Sequence, residues 1–143
     1  MKLEDQVCNL ELAKRLQALG TKQEGHFFWA QFRNDSASLG DNMNIVHTQL
    51  LRIDQVAEYQ DYDHIEDLDI TVALTVAELG EMLPVAINGT GVFMGGSRWC
   101  GYYKSNSEWN QGIEFKAQTE ADARAKMLIH LIEKGIVKPE GRA

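Results

Sequence analysis

The cysteine with a cation for a near neighbour is Cys100, in Arg98-Trp99-Cys100-Gly101. A guanidinium lowers a thiol's pKa and favours the nucleophilic thiolate, and a histidine brought close by folding could serve as its base. A strand cysteine between bulky residues is ordinarily a small core residue, and that is the expectation here. His26, His47 and His64 have no partner at metal-ligand spacing, and His130 is a lone helical histidine. No catalytic residue is assigned.

Carboxylates offer a second chemistry. Asp54, Glu58, Asp61, Asp63, Glu66, Asp67 and Asp69 are accompanied only by Arg52 and His64. Asp61-x-Asp63-His64-x-x-Asp67-x-Asp69 could gather oxygen ligands around a divalent cation. A calcium loop requires Gly at its sixth position and Glu at its twelfth, where this chain has Glu66 and Val72. No metal ligand is assigned. The same acids could imitate a phosphate backbone and engage a basic protein surface, because carboxylates attract the same Arg and Lys side chains. These seven acids, with Trp99 and Tyr102, are the candidate partner-binding residues.

Glycines and aromatics complete the candidates. Asn88-Gly89-Thr90-Gly91-Val92-Phe93-Met94-Gly95-Gly96 departs from the dinucleotide fingerprint by one residue, and an aromatic strand follows it instead of a phosphate-binding helix. Hairpin turns and a bulge are expected there, and no cofactor. Phe27, Phe28, Trp29, Phe32, Trp99, Tyr102, Tyr103 and Trp109 could stack on bases or sugars, but without accompanying basic residues they read as core.

The elements that must position these residues are clearest at the C-terminal end. Thr119, three residues before Asp122, caps a helix over 119–134. Ala121, Ala125, Leu128 and Ile132 share one face, widened by Met127 and Leu131, and Gly135 followed by Pro139 stops the helix. Glu120–Arg124 and Asp122–Lys126 are expected as i,i+4 pairs. Asn9 and Gly20 bracket a helix over 10–19, with Glu11–Arg15 as its own pair. Thr75-Val76-Ala77-Glu78 is a capping box opening a short helix over 75–83, which Pro84 ends.

Strands are expected over 26–33 and 44–51, with loop between them. Residues 52–69 read as an exposed connector, or as a weak strand or helix with one solvated face. A short strand over 70–74, a hairpin at Asn88-Gly89, an interrupted strand over 91–103 and a returning strand over 113–117 follow. The fold class is α+β: a small, mostly antiparallel sheet against two main helices, 10–19 and 119–134, with the short helix 75–83 at an edge.

The totals agree. The chain has 143 residues, 44% hydrophobic and 24% charged, which suits one soluble domain over 1–143 with a flexible tail from about 138. No apolar run is long enough to span a membrane, and the N-terminus lacks a signal peptide's apolar core. Cytoplasmic location follows as an expectation, with Cys8 and Cys100 as free thiols. A net charge of −7 disfavours direct nucleic-acid binding and suits a basic protein partner.

Three stretches, 10–20 (LELAKRLQALG), 75–84 (TVAELGEMLP) and 119–129 (TEADARAKMLI), together resemble a group of short proteins encoded in phage and prophage genomes. That resemblance implies an origin, an intracellular location in a bacterial host and an accessory role, and brings no activity, cofactor or catalytic residue. The function expected is a non-enzymatic, phage-derived accessory protein that binds a protein, basic or itself nucleic-acid-binding. Two alternatives stay open: a small-molecule or enzymatic domain with a pocket assembled from scattered residues, and a self-associating structural protein.

Overall fold

In a computed structural model the structure describes residues 2–33, 45–60, 68–84, 86–87, 90–91, 93–95, 99–103 and 112–140. Helix α1 (Leu10–Ala18) starts on Asn9, whose side chain accepts the Leu12 N–H at 2.9 Å. Its last carbonyls are met by Gly20 N–H to Gln17 and Thr21 N–H to Leu16. Helix α4 (Glu120–Glu133) starts on Thr119, whose hydroxyl accepts the Asp122 N–H at 3.1 Å, and ends the same way through Gly135 and Ile136. Both ends are Schellman turns, which need the left-handed glycine conformation; φ is 96° at Gly20 and 72° at Gly135.

Between them lie β1 (Phe27–Arg33), β2 (Ile45–Arg52), α2 (Ile53–Gln60), β3 (Leu68–Val72) and α3 (Val76–Met82). Then come β4 (Ala86–Ile87), β5 (Thr90–Gly91), β6 (Phe93–Gly95), β7 (Trp99–Tyr103) and β8 (Gly112–Lys116). The class is α+β and every strand pairing is antiparallel, as expected. Among the described residues the strands divide into separate sheets, ordered β2-β1-β3, β4-β5 and β6-β7-β8.

β1 is central in its sheet because both of its faces are sticky. Phe28 and Ala30 are buried on one face, while on the other Gln31 is buried and Trp29 half-buried. The Trp29 indole N–H reaches the Cys8 carbonyl at 2.8 Å, and Cys8 N–H bonds the Leu74 carbonyl at 3.0 Å, so the N-terminal segment is stitched beside 74–76. Gln23 closes part of the β3 edge by accepting the Val72 N–H at 2.9 Å.

One core joins both three-stranded sheets to the helices, with Leu16, Leu51, Leu79, Cys100, Met127, Leu128 and Leu131 fully buried. α4 packs on α1, α3, β7 and β8; of its expected stripe Ala121, Ala125, Met127, Leu128 and Leu131 are buried and Ile132 half-buried, and Ala123 and Ile129 are buried as well. Small alanines at 121, 123 and 125 let neighbours approach the helix from several sides. Val137 is buried and Pro139 lies over Gly20, while Ile136, Lys138 and Glu140 are exposed.

Local expectations changed wherever a tertiary partner outbid a local one. Asp122 accepts the Asn9 backbone N–H at 2.7 Å and its amide N–H at 3.2 Å, while Lys126 donates to the Lys116 carbonyl at 2.9 Å. Arg15 takes Glu133 at 2.7 Å in place of Glu11, whereas Glu120–Arg124 forms at 2.8 Å as read. The strand expected over 70–74 is β3 at Leu68–Val72, because Phe28–Phe32 offers it a partner back to Leu68. The segment after Arg52 opens as helix α2 with Val56 as its buried anchor and Asp54 and Glu58 exposed.

Candidate functional site

Of the candidate partner-binding residues, Asp54 and Glu58 lie on α2 and Asp69 on β3, all exposed. Asp54 faces Arg52 at 3.4 Å. Asp61, Asp63, Glu66 and Asp67 lie outside the described residues, as does His64. Trp99 is half-buried on β7; Tyr102 is on the same strand, paired with Ile113, and its side chain is outside the described set. Among the described residues no group of three His, Cys, Asp or Glu side chains converges as a metal site would. Gly91 and Gly95 occupy ladder positions opposite Ala86 and Trp99, as a hairpin reading requires.

Cys100 is fully buried. Burial pushes its thiol up to about 11, against the opposing pull of Arg124, so the protonated form prevails at neutral pH. Cys8, also free and buried, is pushed up to about 12 by burial. Neither is a nucleophile in this state. His130 tilts against Phe115 with ring centres 5.3 Å apart, and burial, helped by Lys134, lowers its pKa from 6.5.

A depression of about 430 Å³ is built from carboxylates that the sequence did not single out as a group. Its apolar part comes from Ile53, Leu74 and Met82, and its acids are Glu24, Glu78, Glu81 and Glu140, with Lys22 and His26 alongside. Local rules explain how each element delivers its piece. The capping box places Glu78 in the first turn of α3, and Thr75 Oγ1 accepts the Glu78 N–H at 3.1 Å. The reciprocal half does not form: among the described residues both carboxylate oxygens of Glu78 are buried without a hydrogen-bond partner. They turn under Gly25, where a β-carbon would meet Val72 Cγ2 at 2.7 Å and Glu78 Oε2 at 3.0 Å. Only glycine lets the chain lie that close. Ile53, 57% exposed, contributes an apolar surface beside these acids.

A second concavity, about 460 Å³, follows the seam between α1 and α4 with Phe115 at its side. Its floor is Leu12 and Ile129, and its polar lining includes Arg15, Lys126, Glu11 and Glu133.

No protein-family model matches the chain, and no curated protein or solved structure does.

Sequence reasoning located a sign of charge but not this place. The signal within reach was the Thr75–Glu78 spacing; nothing local said that Glu78 would turn from Thr75 toward a loop fifty positions away.

Proposed function

We propose that this is a non-enzymatic binding protein that takes a basic segment of a partner protein into the acid-rimmed depression. The observation that carries the reading is the Glu78 carboxylate, buried without a partner of its own beside an apolar floor. A buried polar group without a hydrogen bond is costly, and a Lys or Arg side chain supplies both the missing charge and an apolar stem. Glu24, Glu81 and Glu140 around it favour the same sign of ligand, and the net charge of −7 steers it in. Buried, protonated thiols support a non-catalytic role. The resemblance to phage-encoded proteins adds an accessory role in a bacterial cell to this proposal.

The test uses a dye-labelled peptide of alternating Lys and Leu, its Glu/Leu counterpart as control, and fluorescence polarisation at rising salt. Binding of the Lys peptide that weakens with salt, and falls about tenfold in Glu81→Lys but not in Asp69→Lys, is the expected result. Equal loss in both variants would reduce the attraction to net charge and overturn the site. The wild type and Glu81→Lys can then be compared as baits in host lysate to name the partner.

A further inference from the structure

The seam between α1 and α4 differs in kind from the acidic depression, and its ends are closed by polar bridges. At one end Asn9 bonds Asp122 through both its backbone and its side chain; at the other Arg15 bonds Glu133 at 2.7 Å. The two helices thus run side by side in the same direction, starts together and ends together. Between the bridges Leu12 and Ile129, both buried, make an apolar floor, and the His130 and Phe115 rings make one flank.

The charges in this seam balance. Arg15 and Lys126 bring two cations, and Glu11 and Glu133 bring two carboxylates. Each cation spends part of its capacity within the protein and keeps more. Lys126 gives one N–H to the Lys116 carbonyl, and an ammonium has three; Arg15 meets Glu133 through Nη2, and a guanidinium has five donors. A polyanion or a polycation would meet a like charge on either side. A molecule carrying one carboxylate and one ammonium would not. The volume of about 460 Å³ lies within the usual range for small-molecule sites, and the apolar floor beside the tilted Phe115 and His130 rings suits a hydrophobic or aromatic body.

We propose that the α1–α4 seam binds a small zwitterion with an apolar or aromatic body, its carboxylate between Arg15 and Lys126 and its ammonium toward Glu11 and Glu133. This does not depend on the basic-partner site, because no side chain lines both concavities.

Three probes test it by NMR titration of the full chain: L-phenylalanine, phenylacetate with only the carboxylate, and phenethylamine with only the ammonium. L-Phenylalanine should bind in the millimolar range or tighter, shift resonances of residues 11–15 and 126–133, and bind at least about tenfold more tightly than either half. Arg15→Met and Glu11→Gln, both at exposed positions, should each weaken it several-fold with the fold intact by circular dichroism. Glu81→Lys should leave it unchanged. Phenylacetate binding as tightly as L-phenylalanine would make this an anion site and overturn the proposal. So would the absence of any shift with all three probes, or unchanged affinity in both seam variants.

Discussion

Burial, not a neighbouring charge, sets the chemistry of both thiols. Arg124 pulls the Cys100 pKa down, yet desolvation wins and leaves it near 11, with Cys8 near 12. Both folded values exceed the ordinary 9.0, so the folded state holds its thiol protons more tightly than the unfolded chain. That contribution is fully present below pH 9 and is lost as pH rises toward 11 and 12. Native protein should therefore react very slowly with a disulfide reagent at pH 8, and both thiols should titrate at once in denaturant. Rapid reaction of either thiol in the native state would contradict the burial argument.

Glu78 poses the opposite problem, a buried carboxylate with no hydrogen-bond partner among the described residues. As the third residue of α3 it gains about 0.3–1 kcal/mol from the helix dipole, against about 1–3 kcal/mol for an unsatisfied buried group. The second effect is larger. Glu78→Met should raise unfolding free energy by about 1 kcal/mol in urea titration while abolishing binding of the Lys peptide. Stability and binding would then move in opposite directions, as expected where function keeps a strained group. A variant that loses both would make Glu78 purely structural.

At the scale of elements, α1 and α4 share a polar joint at their starts. Asn9 caps α1 while its own N–H is received by Asp122 of α4, the task that a Glu three residues into α1 would perform in a capping box. Leu12 occupies that position and cannot do it. Asn9→Ala and Asp122→Ala should each cost about 1 kcal/mol, and the double variant clearly less than their sum, measured as shifts of the urea midpoint at constant m-value. Additive losses would mean that the two helices are capped independently. The C-terminal Schellman turn gives a simpler expectation. Gly135 has φ 72° with open space around it, so Gly135→Ala should destabilise through backbone strain alone, by roughly 1 kcal/mol.

At the scale of the molecule, α4 gathers α1, α3, β7 and β8 around it. Among the described residues no helix is long and apolar enough to cross a membrane. His130 couples this assembly to pH. Its folded pKa lies below 6.5, so between that value and 6.5 the unfolded chain binds more protons. Stability should be complete above pH 6.5 and decline as pH falls through that window. His130→Gln should flatten the part of this slope that belongs to the imidazole, which urea titrations on both sides of pH 6.5 would reveal. An unchanged slope would assign the pH dependence to the carboxylates instead.

The sequence by itself determined helices α1, α3 and α4, because capping, periodicity and glycine stops are local rules acting within a few residues; it did not determine α2, in the acidic stretch after Arg52. Asn9, Thr75 and Thr119 cap as their types dictate, and Gly20 and Gly135 stop as theirs do. It also determined the α+β class and the returning strand against Trp99–Tyr103. Only the tertiary structure decided where the charged side chains go. Asp122, Lys126, Arg15 and Glu78 each had a local partner at helical spacing and each turned elsewhere. An i,i+4 ion pair on a helix surface is worth only a few tenths of a kcal/mol, so a neighbouring element that offers a better-placed donor or acceptor can take the side chain. The candidate site lay in that undetermined part. Its acids and apolar residues come from positions 22–26, 53, 74–82 and 140, which no spacing rule connects and which meet only when the sheet, α3 and the chain beyond α4 close on one another.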